Sequence, residues 1–323
     1  MSQVLLEVED LRTYFFTRKG MVKAVDGISF HVNEGETFGI VGESGCGKTV
    51  TGLSILRLLP EPAGQIVGGK IILAGENLLD LDKKKMRSYR GRVISMILQD
   101  PMTSLNPVYT IGDQISEAVK LHQGLRDEKV NEEVISALRL LKIPSPEVIM
   151  KDYPFQLSGG MRQRAVGAIA MSCHPRLLIA DEPTTALDAT IQAQYIALFK
   201  DVQKKTNVSI IFITHDFGVV ANMCHRVGVM YAGKIVETAT TREIFKTPKH
   251  PYTIALMNSV PRLDEKGQRL YSIKGQPPSL LKLPPGCRFY ARCPVAEDIC
   301  KKEMPPEVEV NEGHFVSCWK VKK

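Results

Sequence analysis

Gly42-Glu43-Ser44-Gly45-Cys46-Gly47-Lys48-Thr49 follows the apolar run Thr37–Val41 and precedes a helix-patterned stretch over residues 48–59. The octapeptide matches G-x-x-x-x-G-K-[ST] between a strand and a helix, the context in which that pattern has a mechanism. Glycines at these places let successive backbone N–H groups turn inward around phosphate oxygens, and the start of the next helix adds partial positive charge. Lys48 is placed to reach the β- and γ-phosphates, and the Thr49 hydroxyl to bind magnesium. Residues 42–49 with Val50 are therefore the candidate nucleotide-binding stretch. Cys46 reads as a small spacer whose backbone, rather than its thiol, faces the ligand.

Working outward, Leu177-Leu178-Ile179-Ala180-Asp181-Glu182 is an apolar strand ending in two carboxylates. Asp181 can hold magnesium through its water shell, and Glu182, one residue on, can polarise an attacking water. Short apolar segments at 177–180, 209–214 and 227–231 alternate with helical stretches such as 189–205, the pattern of a parallel sheet covered on both faces. Segments 4–8, 27–32 and 37–41 read as an opening antiparallel region. Further strands are expected at 70–73 and 92–98. Helical character dominates about residues 100–174, with amphipathic helices at 111–121 and 127–141.

The chain has 323 residues, 44% apolar and 24% charged. These fractions exclude a disordered, collagen-like or coiled-coil protein. No apolar run approaches the roughly 18 residues that span a bilayer, and the opening residues lack the basic start and apolar core of a signal peptide. A soluble, cytosolic protein is expected. The net charge of +7 suits an anionic ligand or a membrane surface. Nucleic acid is not expected, since no Lys/Arg block exceeds Lys83-Lys84-Lys85.

Composition changes near residue 247. Residues 247–323 hold ten of the 19 prolines and a net +5, and Pro-Pro pairs at 277–278, 284–285 and 305–306 deny long helices and central strands. The expected organisation is an ATPase domain over 1–246, with its helical insert at about 100–174, and a small extension over 247–323. Cys46, Cys173 and Cys224 are scattered and read as small core or spacer residues. Cys287-x5-Cys293-x6-Cys300-x17-Cys318 crowds the extension. Such a segment builds little core of its own, so the four thiols are expected to hold a metal. A zinc site usually carries a C-x(2–4)-C knuckle, which is lacking, whereas a 4Fe-4S cluster accepts longer spacings. The cluster is the favoured reading, with zinc as the alternative.

Leu157-Ser158-Gly159-Gly160-Met161-Arg162-Gln163-Arg164 resembles the signature sequence of ABC-type ATPases. Gln99, Ala186-Leu187-Asp188 and His215 stand around it in the order and spacing that family uses. The resemblance covers about residues 4–245. It implies an α/β P-loop NTPase fold: an ABC-type cassette with a mixed parallel core sheet, an antiparallel β subdomain and a helical subdomain. It further implies that ATP is held between the cradle of one subunit and Ser158, Gly159 and Gly160 of another. In that frame Glu182, His215, Lys48 and Gln99 are the catalytic candidates. Gln99 also contacts magnesium beside Thr49 and Asp181, Asp188 bridges the dimer, and His215 holds the γ-phosphate and the water. Taken alone, His215 reads as a strand-end histidine satisfied by backbone. Adenine stacking falls to Phe15, counted from Leu11; a bulge in the first strand would promote Tyr14 instead.

Gln99-Asp100-Pro101-Met102-Thr103-Ser104-Leu105-Asn106-Pro107, His250-Pro251-Tyr252-Thr253 and the cysteine-rich tail are similar to the ATPase subunits of dipeptide and oligopeptide importers. The partners this implies are a second, non-identical ATPase, two integral membrane permeases and an extracytoplasmic peptide-binding protein, at the cytoplasmic face of the membrane. Nickel importers share much of the pattern. A soluble ATPase of iron–sulfur assembly would explain the cysteines but not His-Pro-Tyr-Thr. A chromosome-maintenance ATPase would need far more chain between cradle and signature, and a translation-associated ATPase a second cassette.

Overall fold

The computed structural model describes residues 3–185, 187–260 and 271–321. In chain order the strands are β1 (Val4–Thr17), β2 (Gly20–Asn33), β3 (Thr37–Val41), β4 (Gly64–Leu73), β5 (Glu76–Asn77) and β6 (Ile94–Ile97). They continue as β7 (Leu177–Asp181), β8 (Ser209–Thr214), β9 (Arg226–Tyr231), β10 (Lys234–Thr240), β11 (Val308–Asn311) and β12 (His314–Val316). The helices that matter below are α1 (Lys48–Ile55), α2 (Ile111–Gln123), α3 (Glu128–Leu140), α4 (Gly159–Met171), α5 (Ala189–Thr206) and α6 (Pro251–Asn258).

The chain divides into two compact units. The first gathers Met1–Leu5, Val32–Thr37 and Leu78–Ile213. Its strands β6, β7 and β8 are parallel neighbours, Ile94 pairing with Leu177 and Leu177 with Ser209. Every residue of β7 and β8 is buried, as expected for strands with both faces covered. Helices α2, α3 and α4 pack on one another as a helical layer. Thr110 and Asp113 form a capping box at the start of α2, and Gly124, at φ 68°, closes it in the left-handed region.

The second unit gathers Leu6–His31, Phe38–Asn77 and Thr214–Lys323. It holds an antiparallel sheet in the order β2-β1-β4-β5, with Leu6 opposite Leu73 and Phe15 opposite Gly64. It also holds the run β11-β12-β10-β9-β3, in which β3 and β9 are parallel and the other pairings antiparallel. The proline-rich tail thus adds two short, proline-free strands at the sheet edge. A buried aromatic cluster of Tyr231, Tyr252 and Phe289, with ring centroids 4.5–5.3 Å apart, anchors the tail within this unit.

Candidate nucleotide site

The cradle lies in the second unit. It is built by β3, all five residues buried, running into α1. A Cβ on Gly42 would stand 2.1 Å from the Met230 carbonyl oxygen, and one on Gly47, at φ 112°, 2.2 Å from that of Ala24. Only glycine lets the loop press this closely on its neighbours. The Lys48 side chain is buried, and its Nζ donates to the carbonyls of Gly42 (2.8 Å) and Glu43 (3.2 Å), so the ammonium is held at the mouth of the loop. Ser44, Gly45 and Thr49 are exposed and Val50 half-buried. Cys46 is buried with its thiol against Gly42. Burial pushes that thiol above its ordinary range, the behaviour of an inert spacer rather than of a reactive cysteine. Cys173 and Cys224 are likewise buried.

β1 changes register twice between Glu9 and Thr13, where Asp10 has φ 43°. Beyond the bulge Thr13 and Tyr14 are both buried, and the Tyr14 hydroxyl donates to Asp26. Asp26 also pairs with Arg288 of the tail. Burial pushes the Asp26 carboxyl up, but the Tyr14 and Arg288 contacts outweigh it and hold the group below the usual carboxylate range. Phe15 is half-buried beside Gly64. His215 is exposed immediately after β8, and Asp216 caps the next turn of helix through Gly218 and Val219.

The acidic strand lies in the first unit. Asp181 is buried at the end of β7. Glu182 follows at φ 46°, a left-handed conformation that non-glycine residues rarely adopt and that clusters at functional positions. Its carboxylate accepts from Gln99 Nε2 (3.2 Å) and from the Thr185 hydroxyl (3.0 Å). Two residues assigned separately from the sequence therefore meet. Ser158 is the N-cap of α4, its hydroxyl accepting from the Met161 N–H at 3.3 Å. Gly159 has open space around it. Asp188 caps α5, one carboxylate oxygen accepting from the N–H groups of Thr190 and Ile191, both at 3.0 Å. This helix-capping duty was not anticipated, although Asp before a helical run is its usual signal. Ala186, beside Asp188 in the motif, lies outside the described residues. Of the expected magnesium donors, Gln99 and Asp181 belong to this first unit and Thr49 to the second.

The four tail cysteines line one small cavity with Phe289 and Trp319 among its walls. The Cys287 N–H donates to the Cys300 carbonyl at 2.8 Å. Burial, reinforced by the neighbouring thiols, pushes the Cys287 thiol up to about 11, and burial also raises Cys293 and Cys318. Among the described residues, no three His, Cys, Asp or Glu side chains stand close enough to hold a single metal ion. Neither the expected 4Fe-4S cluster nor the zinc alternative therefore finds a formed ligand set among the described residues.

His-Pro-Tyr-Thr has a local structural task that sequence reading missed. His250 is buried and caps α6, Nδ1 accepting from the Tyr252 N–H at 3.0 Å, while its own backbone N–H donates to Glu237 at 2.9 Å. Burial pushes the imidazole down to about 3. The Tyr252 hydroxyl accepts from the N–H of Glu43 in the cradle at 3.0 Å. Partners 209 positions apart leave no signature in local sequence.

Residues 25–185 match the family described as ABC transporter, and residues 236–300 match that described as oligopeptide/dipeptide transporter, C-terminal region. The chain is 51% identical over 320 residues to a probable peptide ABC transporter ATP-binding protein of Sinorhizobium fredii, covering 99% of this chain and 96% of the relative. It is 52% identical over 315 residues to the dipeptide transport ATP-binding protein DppD of Bacillus subtilis, covering 98% and 94%. The chain belongs to the ATP-binding subunits of ABC transporters. The fold agrees with solved cassettes. The dimeric cassette MJ0796 bound to ADP and Pi superposes with a TM-score of 0.65 at 22% identity, covering 73% of this chain and 99% of that one. The cassette cbiO1 of Clostridium perfringens gives 0.65 at 26% identity, covering 76% and 92%. As an ABC ATPase the chain binds and hydrolyses ATP, and none of its described helices is long and apolar enough to cross a membrane.

Proposed function

We propose that this chain is the ATP-hydrolysing, energy-coupling subunit of an importer for dipeptides or oligopeptides. It works at the cytoplasmic face of the membrane with a second, non-identical ATPase, two integral membrane permeases and an extracytoplasmic peptide-binding protein. One observation carries this reading above the nickel-import and iron–sulfur-assembly alternatives. The ABC region and the peptide-transporter C-terminal region lie on one chain, and the relatives that share both along almost their full length are described as peptide transport proteins.

ATP is the substrate. The N–H groups of residues 42–47 and the start of α1 cradle its phosphates, with Lys48 leaving the loop carbonyls for the β/γ oxygens. Phe15, whose ring is the less buried, stacks on adenine; Tyr14 is committed to Asp26. Thr49, Gln99 and Asp181 are the residues that the resemblance implies would hold magnesium; their oxygens are the hard donors this ion prefers, and the ion would supply neutralisation of charge developing on the phosphates. Glu182 orients and deprotonates the attacking water, positioned by Gln99 and Thr185, and His215 contacts the γ-phosphate. The exposed start of α4, at Ser158, Gly159 and Gly160, closes on the nucleotide of the partner ATPase, and Asp188 lies along that interface.

In the tail, Cys287, Cys293, Cys300 and Cys318 hold a 4Fe-4S cluster that staples residues 247–323, the extension that follows the ATPase domain of residues 1–246 in sequence. Support comes from four thiols lining one cavity. Cluster charge is what would draw off protons that burial retains. Anaerobically purified protein is expected to be brown, with about four iron per chain, both lost in Cys293→Ser. Colourless protein carrying one zinc would contradict the reading.

The test of function is reconstitution of the chain with its permeases in proteoliposomes. Peptide-loaded binding protein is expected to stimulate ATP hydrolysis and drive peptide uptake. Stimulation by a nickel-loaded binding protein and not by peptide would overturn it.

A further inference from the structure

Glu43, the second residue of the cradle, is gripped at three places. Its N–H donates to the Tyr252 hydroxyl (3.0 Å), its carbonyl accepts from Lys48 (3.2 Å), and its carboxylate receives both terminal nitrogens of Arg292, at 2.6 and 2.9 Å. Two of the three grips come from beyond residue 246. The Arg292 side chain is 4% exposed and that of Glu43 27%. Arg292 is fixed in turn by the tail. Nε donates to the Lys274 carbonyl at 3.1 Å, one terminal nitrogen also reaches the Tyr231 hydroxyl at 3.2 Å, and the guanidinium lies over the rings of Tyr231 and Phe289 at 5.7 and 5.9 Å. A two-toothed guanidinium–carboxylate pair fixes orientation as well as distance. Neither Tyr252 nor Arg292 belongs to the phosphate loop or to any motif for ATP hydrolysis.

We propose that Arg292 is a positioning residue for ATP binding: through Glu43 it holds the phosphate loop open in its nucleotide-accepting form, so the tail sets the affinity of the cradle. The geometry explains how. A Gly-rich loop populates many backbone states, and the two tail contacts restrict them at the residue between Gly42 and Ser44. Pre-ordering a loop lowers the cost of binding without adding any ligand contact. The same carbonyl that Lys48 rests on belongs to Glu43, so a displaced Glu43 also moves the lysine. Arg292 directly precedes Cys293 and ends the short turn Tyr290–Arg292, which places the loop's restraint next to the cysteine cavity. The restraint itself stands whether or not a cluster fills that cavity, and its test does not depend on one.

The experiment uses the full-length chain. Equilibrium binding of a non-hydrolysable ATP analogue with magnesium is measured for wild type, Arg292→Ala, Arg292→Lys, Glu43→Ala and the double Arg292→Ala/Glu43→Ala variant. Asp298→Ala, which removes an exposed pair with Lys301 in the tail, serves as control. KM for ATP and kcat are then measured in the assembled transporter. Arg292→Ala and Glu43→Ala are each expected to weaken binding and raise KM about tenfold, as loss of a restraint and not of a contact. In both, kcat is expected to stay within about twofold of wild type. The double variant should match either single one, Arg292→Lys should recover part of the loss, and Asp298→Ala should be unchanged. If Arg292→Ala does not fold, Glu43→Ala alone decides, since it removes the pair from the cradle side. Wild-type analogue affinity in Glu43→Ala, additive losses in the double variant, or a fall in kcat at unchanged KM would each overturn the proposal.

Discussion

At the scale of single residues, the proposed water-activating carboxylate is aimed by its neighbours, and one buried imidazole bears on stability. Glu182 sits in a left-handed backbone conformation and is oriented by Gln99 and Thr185. Glu182→Gln keeps the shape and removes the proposed base, so turnover is expected to fall about 10²–10⁴-fold with ATP affinity retained. Full turnover in single-turnover assays would remove Glu182 from the role. His250 bears on stability. Its folded value of about 3 lies below the ordinary 6.5, so the unfolded chain takes up the proton first as pH falls. Its stabilisation is complete above about pH 6.5 and declines below it, by about 2 kcal/mol between pH 6.5 and 5. An asparagine side chain can cap a helix as well but does not titrate, so denaturant titrations of His250→Asn should lack most of that slope. Equal slopes in both proteins would show that His250 is not buried neutral.

At the scale of elements, legibility tracked local signals. The apolar runs that became β3 and β8, the capped helix α2 and the amphipathic helix α3 announced themselves within a residue or two at either end, because burial pattern and capping are written locally. Helix α1 stops at Ile55 rather than running to residue 59, because Arg57 turns to φ 51° ahead of Pro60. β1 reaches Thr17, well beyond the expected residue 8. The register shifts between Glu9 and Thr13 break the two-residue period. The role of Asp188 as cap of α5 gives a clean discrimination. Asp188→Ala is expected to lose about 1 kcal/mol of stability, whereas Asp188→Asn keeps the cap and loses only what the charge contributes at the proposed subunit interface. Equal melting temperatures for Asp188→Ala and wild type would deny the capping role. What the sequence could not disclose are the long-range grips, Tyr252 and Arg292 on Glu43 and Arg288 on Asp26, since each depends on packing that brings distant segments together.

At the scale of the whole molecule, one chain carries a cradle in one compact unit and a signature helix and acidic strand in the other. In the function proposed above, a second ATPase completes each nucleotide site. Ser158→Arg tests this at long range. It leaves the chain's own cradle untouched, so ATP affinity of the isolated protein should be unchanged, while hydrolysis in the assembled transporter falls at least tenfold. Normal hydrolysis would mean that Ser158 faces no nucleotide. The most direct measurement compares ATP turnover by the isolated chain, held monomeric as verified by sedimentation, with turnover in the assembled transporter. The monomer is expected to bind magnesium-ATP but to hydrolyse it many-fold more slowly than the assembly. A monomer that turns over at the full assembled rate would contradict a nucleotide site shared between two subunits.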